Sequence, residues 1–175
     1  MIQVDVADLL DRTGVSKRVE RREAVPELKV ELSEVPDGNP VVLDVRVEAV
    51  SEGRLLVSGT LSTAVVQSCA RCLTRFDGSV EAQVREVFVR TPGDEEYPID
   101  AELGTIDLEP MVRDAVVPAL PFAPLCRPDC LGLCERCGGD RNMGECTCPE
   151  EVPDTRWAAL DVIVEQLKED ERGTG

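Results

Sequence analysis

Residues 41–66, VVLDVRVEAVSEGRLLVSGTLSTAVV, decide the fold because apolar and polar side chains alternate through most of them. Leu43 and Val45 alternate with charged residues, and after the turn signal at 51–53 the same period resumes from Leu55. A period of two places one set of side chains on one face of a strand. The stretch therefore predicts antiparallel strands with one apolar face and one hydrated face.

A further strand is predicted after a break at residues 69–75. Apolar residues alternate again from Val80 to Val84, which continues the antiparallel pattern. The phase slips near Arg85–Glu86, and this slip predicts a β-bulge.

One helix is predicted after the loop-like stretch 91–96. Asp107 is a suitable N-cap, and Pro110 falls in the first turn, where its missing N–H costs little. Apolar residues then recur with helical spacing until Pro118 and Pro121, which end or bend the helix. We expect this helix to cover the apolar face of the sheet.

The predicted fold class is α+β: an antiparallel meander covered by a helix, with a small cysteine-rich zinc module and a C-terminal helix. We expect an N-terminal arm at 1–30, the sheet and helix at 31–122, the zinc module at 123–150, and the last helix with an acidic tail at 151–175. The arm forms either a short helix or an added strand. The last helix places Trp157 and Leu160 on one apolar stripe.

Composition excludes several kinds of catalytic site. The chain has 175 residues, with 19 Lys and Arg against 35 Asp and Glu, and a net charge of −16. It contains no histidine, which excludes Ser-His-Asp triads, Cys-His dyads and HExxH metal sites. The glycine-rich motifs GxGxxG and GxxxxGK(S/T) are also absent from the sequence. We therefore expect a protein that is not an enzyme.

The charge and the first residues indicate partners and compartment. A strongly acidic protein repels bare phosphate and attracts basic partners. The start of the chain carries Asp5 and Asp8 and no long apolar run, so we expect neither a signal peptide nor a membrane span. The expected compartment is the cytoplasm, where cysteines serve metal or redox chemistry rather than structural disulfides.

The cysteines carry the clearest chemical signal. Their positions are Cys69, Cys72, Cys126, Cys130, Cys134, Cys137, Cys146 and Cys148. In Cys134-x-x-Cys137-Gly-Gly, a tight turn brings two thiolates to one ion, and the glycines permit the positive φ that closes it. Four thiolates suit tetrahedral Zn²⁺ in a closed structural site, which we favour over disulfides or an iron–sulfur cluster.

Two groupings of these cysteines remain open. In the first, Cys146 and Cys148 complete a site with the Cys134 turn, and the other four cysteines form a second site. In the rival grouping, Cys130, Cys134 and Cys137 hold a single ion with Cys146 or Cys148. Counting and spacing alone do not decide between two ions and one.

Several motifs together resemble one family. They are Cys69-x-Arg71-Cys72-Leu73, Ile106-Asp107-Leu108, Leu125-Cys126-x-x-x-Cys130-x-Gly132-Leu133-Cys134-x-x-Cys137-Gly138, Cys146-x-Cys148 and Asp154-x-Arg156-Trp157-x-x-Leu160. In this order they are similar to the YceD-like family of large ribosomal RNA subunit accumulation proteins. The resemblance implies a cytoplasmic factor for 23S rRNA accumulation or processing, without established enzyme activity, and a link to a small basic ribosomal protein. Only the cysteines transfer as site residues, as metal ligands.

Charge and resemblance together predict a biogenesis factor of the large ribosomal subunit that contacts a basic ribosomal protein or a pre-ribosomal particle. The acidic loop at 94–109 and the acidic tail would shield such a protein from other contacts. The N-terminal arm would contact rRNA through a basic cluster. That cluster contains Lys17, Arg18, Arg21 and Arg22.

Two alternatives belong to other functional classes. An RNA-processing enzyme would hold Mg²⁺ through carboxylates, and the nearest candidates are Asp100, Glu102, Asp107 and Glu109. A thiol redox sensor would use the C-x-x-C pairs as its switch.

Overall fold

The computed structural model describes residues 1–93, 96–148, 160 and 163. The strands in this part of the chain are β1 (Gln3–Asp5), β2 (Ser16–Ala24), β3 (Lys29–Val30), β4 (Ser33–Glu34), β5 (Pro40–Ser51), β6 (Arg54–Ser68), β7 (Arg75–Val89), β8 (Tyr97–Asp100) and β9 (Thr105–Asp107). Helix α1 spans Glu109–Ala119. The described chain is thus mostly strand with one complete helix, which agrees with the α+β class in outline.

Strands β5, β6 and β7 form the predicted meander. β5 pairs with β6 and β6 with β7, both antiparallel. The first hairpin turns at residues 52–53 and the second at 69–74. Val45 and Val57 are buried on one face of this sheet, while the alternating residues are exposed or half-buried. The period of two in the sequence therefore has the predicted structural origin.

The predicted bulge near Arg85–Glu86 is wrong. Every residue of β7 pairs with one of β6 without a shift in register. The buried phase of β7 continues to Phe88, while Val87 and Val89 lie on the opposite side of the strand. Because β7 carries apolar residues on both faces near its end, its sequence looks like one with a phase slip. The register shift in the meander lies instead in the β5–β6 pair, between Ala49 and Ser51.

The sheet is mixed rather than purely antiparallel. Its strands follow the order β1-β9-β8-β7-β6-β4-β3, with β5 pairing both β6 and β2. β8 runs parallel to β7, with Tyr97 opposite Phe88. The two rings stack with centroids 5.0 Å apart, which places this strand beside the meander.

The N-terminal residues belong to the sheet, so the added-strand form of the predicted arm is the one observed. β1 pairs with β9, and β2 pairs along its full length with β5. Ile2, Val4 and Val6 are buried in the same core as the meander. β1 spans only three residues and β2 contains few apolar residues, so the sequence shows little periodicity here and does not distinguish a helix from a strand.

Helix α1 begins one residue later than predicted. Its N-cap is Leu108, but the carboxylate of Asp107 accepts the N–H of Glu109 and so still satisfies one free donor of the first turn. The helix passes Pro118 and ends at Ala119. Its residues Met111, Val112 and Val116 join the core, while the finer expectation that it covers the sheet stays a prediction.

β5 and β6 approach each other closely at Gly59. The φ angle of Gly59 is +155°, and a Cβ there would lie 2.2 Å from the carbonyl oxygen of Asp44. No side chain fits between the two backbones at this point, so the close approach requires glycine.

The chain divides into two compact units, Met1–Gly132 and Leu133–Gly175. The predicted zinc module at 123–150 straddles this division. The predicted C-terminal helix lies outside the described residues except for Leu160 and Ile163, which are helical and exposed. Within the described part of the chain, no helix is long and apolar enough to span a membrane.

Candidate metal centres

The eight cysteines form two sets of four. The first cysteine set comprises Cys69, Cys72, Cys126 and Cys130, and the second cysteine set comprises Cys134, Cys137, Cys146 and Cys148. Within each set all sulfur atoms lie within 4.8 Å of one another. The observed sets are those of the two-ion grouping rather than of the single-ion grouping.

Sulfur distances in the first set fit a tetrahedral ion. The Sγ atoms of Cys69 and Cys130 are 3.8 Å apart, and those of Cys72 and Cys126 are 3.7 Å apart. A disulfide needs about 2.05 Å, and all eight cysteines are free thiols. Four sulfurs at about 2.3 Å from Zn²⁺, at the corners of a tetrahedron, lie about 3.8 Å from one another. Both measured distances therefore match the spacing that such an ion requires, and the remaining sulfur–sulfur distances lie within 4.8 Å.

The turn between β6 and β7 supplies two thiols of the first set. The N–H of Leu73 donates to the carbonyl of Cys69 at 2.9 Å, and the N–H of Cys69 donates to the carbonyl of Thr74 at 3.0 Å. Leu73 adopts a φ of +60°, which is unusual for a residue with a side chain. These bonds fold residues 69–74 into a compact turn that holds Cys72 near Cys69.

The second set contains a turn of the same construction. The N–H of Gly138 donates to the carbonyl of Cys134 at 2.8 Å, and Gly138 has a φ of +71°. The N–H of Cys134 donates to the carbonyl of Gly139 at 2.9 Å. Gly138 and Gly139 predict this turn from the sequence. The equivalent turn of the first set could not be predicted in this way, because leucine rarely adopts a positive φ.

Residues around Arg71 fasten the two halves of the first set together. The Nη1 of Arg71 donates to the carbonyl of Cys130 at 2.8 Å, and the N–H of Ala70 donates to the carbonyl of Pro124 at 2.8 Å. Gly132 packs against Arg71, since a Cβ at Gly132 would lie 3.0 Å from the Arg71 carbonyl oxygen. Sequence analysis missed this positioning role of Arg71, because a long-range bond to a carbonyl leaves no motif.

The thiols of the first set differ in acidity. Burial raises the pKa of Cys69, but the backbone N–H groups of Cys126 and Cys72 outweigh burial, and the pKa falls to about 6. Burial and hydrogen bonds with the thiols of Cys72 and Cys69 raise the pKa of Cys126 to about 12. One sulfur therefore ionises readily while another keeps its proton, since adjacent negative charges repel.

The second set shows the same contrast. Backbone N–H groups of Cys137 and Arg136 lower the pKa of Cys134 to about 6. Hydrogen bonds with the thiols of Cys137 and Cys146 raise the pKa of Cys148 to about 12. Four thiolates at such distances need a cation between them, and thiolate sulfur is a ligand that Zn²⁺ prefers. The donor chemistry of both sets fits a tetrahedral metal ion.

Three of the four acidic candidates for Mg²⁺, namely Asp100, Asp107 and Glu109, make contacts within the fold. Asp100 accepts the backbone N–H groups of Glu102 and Leu103, and Asp107 accepts those of Ile2 and Glu109. The carboxylate of Glu109 pairs with the N-terminal amine. Within residues 1–93 and 96–148, potential metal ligands gather in groups of three or more only as the two cysteine sets.

The basic cluster lies on β2, at an edge of the sheet. Arg18 makes two hydrogen bonds to the carboxylate of Asp44, at 2.7 and 2.6 Å, and Lys17 pairs with Asp8 at 3.0 Å. Arg21 and Arg22 are exposed and form no ion pair with the described residues. Half of the cluster is thus neutralised by neighbouring carboxylates.

Comparison with known proteins places this chain in a family. Residues 57–163, which include all eight cysteines, match the family described as Large ribosomal RNA subunit accumulation protein YceD. An uncharacterized protein of Mycobacterium tuberculosis is 39% identical over 164 residues, covering 90% of this chain and 78% of the relative. An uncharacterized protein of Mycobacterium leprae is 38% identical over 165 residues, covering 89% of this chain and 74% of the relative.

A more distant relative carries a functional name. It is the Large ribosomal RNA subunit accumulation protein YCED homolog 1, chloroplastic, of Arabidopsis thaliana, 24% identical over 193 residues, covering 91% of this chain and 59% of the relative. No solved structure matches this chain. The family match extends over most of β6, β7, helix α1 and both cysteine sets, and the chain belongs to the YceD family of large ribosomal RNA subunit accumulation proteins.

Proposed function

We propose that this chain is a non-enzymatic, zinc-bound factor of ribosome biogenesis that supports 23S rRNA accumulation and large-subunit assembly in the cytoplasm. Its direct partner is a basic large-subunit ribosomal protein, free or within a pre-ribosomal particle. Family membership supports the ribosomal role. The observation that carries the molecular part is the pair of four-thiol sets, spaced for tetrahedral ions.

Zinc in these sites would be structural. Four cysteines complete the coordination of each ion and leave no position for water or substrate. The ion supplies positive charge that holds four thiolates together, and it contributes on the order of 10–16 kcal/mol of apparent binding free energy to folding. A closed site of this kind, in a chain without histidine, supports a binding protein rather than a hydrolase.

Net charge supports a basic protein as the partner. A chain at −16 repels the phosphate backbone and attracts cationic surfaces at long range. Several acidic residues of the 94–109 stretch make contacts that stabilise the fold. Asp100 closes a turn, while Asp107 and Glu109 anchor the N-terminus and the start of α1. The exposed Glu102 is therefore a carboxylate of this stretch that we assign to partner contact, and we add Asp94 and Glu95 to it on the basis of the sequence.

Contact with rRNA is assigned to the edge strand β2. Arg21 and Arg22 are exposed and free of ion pairs with the described residues, so their guanidinium groups are available to phosphate. This contact would be local and secondary, because the surrounding chain is acidic.

The first experiment measures metal and partner in the native protein. The chain is purified from cells without added metal, and its zinc content is determined by mass spectrometry. We expect two zinc ions per chain, together with recovery of basic large-subunit ribosomal proteins in moderate salt. Recovery of no such protein and no precursor particle contradicts the proposed function.

Charge variants test which acids contact the partner. A variant with Asp94→Asn, Glu95→Gln and Glu102→Gln changes the net charge by the same amount as a control with Glu31→Gln, Asp37→Asn and Glu52→Gln. We expect at least a fivefold loss of affinity in the first variant and less than a twofold loss in the control. Equal losses would show that net charge alone acts, without a specific contact at residues 94–102.

A further inference from the structure

The two cysteine sets differ in how deeply the protein surrounds them. In the first set Cys69 is 0% exposed and Cys130 is 1% exposed, and only Cys126 lies at the surface. In the second set Cys137 is exposed and the other three cysteines are half-buried. We propose that the second set is a metal-exchange site whose occupancy orders residues 133–148, while the first set keeps its ion. This inference rests on the zinc binding of the proposed function.

Exposure decides how an ion leaves a thiolate site. A competing ligand must reach the metal or replace a thiolate before the ion departs. Each set has one exposed cysteine, Cys126 or Cys137, but the other three cysteines are buried in the first set and only half-buried in the second, so a competing thiol or chelator reaches more ligands of the second set. In the first set, access to Cys69 and Cys130 requires local opening of the surrounding structure. The first set should therefore release its ion more slowly.

The two sets also differ in what remains after the ion leaves. Among residues 133–148 none is buried, so this segment has no apolar core of its own. Its order depends on two local turns, at 134–139 and 140–145, and on the ion that joins Cys134 and Cys137 to Cys146 and Cys148. Loss of the ion removes the element that holds the segment in one conformation.

The first set has support that does not depend on metal. The β6–β7 ladder leads directly into the turn at 69–74. The bonds from Arg71 to Cys130 and from Ala70 to Pro124 connect the turn to the second pair of cysteines. The ion in this set reinforces a scaffold that other contacts already hold.

Under limiting zinc the chain would therefore take a half-loaded form. In this form residues 1–132 keep their fold and the ion of the first set, whereas residues 133–148 lose their ion and their order. The ligand class is a thiophilic divalent cation, and the event that changes the state is competition for that cation by another thiol or chelator. Any surface that residues 133–148 offer to a partner would exist only when the second set is filled.

Timed release of zinc tests this inference. The full chain with two bound zinc ions is mixed with excess EDTA, and released zinc and amide hydrogen exchange are followed together. We expect one equivalent to leave at least tenfold faster than the other. Amide exchange should rise at residues 133–148 in the fast step, while residues 69–74 remain protected. A single rate for both ions, or a fast step that exposes residues 69–74, overturns the inference.

Two variants assign the steps, and the starting metal content separates the two hypotheses. Cys137→Ser should abolish the fast step and leave the slow one, whereas Cys72→Ser should abolish the slow step. If Cys72→Ser does not fold, the hydrogen exchange of the unmodified chain still assigns each step. Fewer than two bound zinc ions in the presence of excess zinc contradicts the proposed function itself, whereas two ions with one release rate contradicts only the exchange site.

Discussion

Leu73 and Gly138 occupy equivalent positions in the two C-x-x-C turns. Each follows the second cysteine, each has a positive φ, of +60° and +71°, and each donates its N–H to the carbonyl of the first cysteine. A left-handed backbone is costly for leucine and nearly free for glycine. The same turn is therefore built once with strain and once without it.

Replacing Leu73 by glycine and Gly138 by leucine should change stability in opposite directions. Leu73→Gly relieves the positive φ of a side chain that is 59% exposed, and we expect unchanged or increased stability, by up to about 1 kcal/mol. Gly138→Leu introduces the same strain, and we expect it to cost about 1–2 kcal/mol in the second turn. Thermal unfolding measures the first change, and the zinc affinity of the second set measures the other. Destabilisation by Leu73→Gly would show that the leucine side chain makes a contact worth more than the strain.

Arg71 should matter to the first set more than its neighbour Arg75. Arg71→Ala removes a charged hydrogen bond to the Cys130 carbonyl, and we expect a loss of roughly 1.5–3 kcal/mol in unfolding free energy. Arg75→Ala removes an exposed ion pair with Glu34 and should cost less than about 1 kcal/mol. Denaturant titration of both variants gives the comparison. Equal losses would mean that the bond to Cys130 does not hold this segment.

Gly59 should tolerate no side chain. In Gly59→Ala the new Cβ would overlap the Asp44 carbonyl oxygen, so β5 and β6 must separate, and we expect a loss of about 3 kcal/mol or more.

Gly38→Ala is the matched control for this substitution. Gly38 also has a positive φ, of +84°, but nothing lies within 4 Å of its Cβ position. The control should cost only about 1 kcal/mol from the backbone. Chemical denaturation of both variants checks the difference, and similar losses would mean that crowding at Gly59 is relieved without opening the strands.

Tyr97 should resist ionisation in the folded protein. Burial and the hydrogen bond that its hydroxyl donates to Asp114, at 2.8 Å, raise its pKa above the ordinary value of about 10. A raised folded-state pKa contributes stability at lower pH, and this contribution is lost as the pH rises above about 10, where the unfolded tyrosine ionises. Tyr97 is the single tyrosine of the chain, so tyrosinate absorbance reports it alone.

The absorbance should change only when the protein unfolds at alkaline pH. Asp114→Asn removes the nearby negative charge and should move the ionisation to lower pH. A titration midpoint near 10 in the unmodified folded protein would contradict the half-buried, hydrogen-bonded environment of Tyr97.

Much of the meander could be predicted because its two faces differ in polarity. Val45 and Val57 alternate with polar neighbours, and this pattern survives in the structure. The parallel strand β8 left no such signal, since it spans four residues and is placed by the ring of Tyr97. Apolar side chains on both sides of β7 produced the wrong bulge, because periodicity alone does not distinguish a slip from a strand buried on both sides.

The cysteine chemistry was easier to predict than the cysteine grouping. The spacing of Cys134 and Cys137, with the glycines that follow, announces a local turn. Joining Cys69 to Cys130 requires knowing that a hairpin tip and the segment after α1 meet, and that distance is a property of the fold. The hydrogen bond from Arg71 to the Cys130 carbonyl likewise depends on the fold and could not be predicted from the sequence.

Cys69 and Cys72 of the first cysteine set lie at the tip of a hairpin whose two strands have 15 residues each. Side chains on such strands change face with every step, so deleting one residue from each strand would move the side chains of the tip to the opposite face relative to the base. Lengthening or shortening this hairpin preserves the orientation of its thiols only if both strands change together by even numbers. The β6–β7 hairpin can therefore change length only in steps of two residues per strand if its cysteines are to keep their orientation.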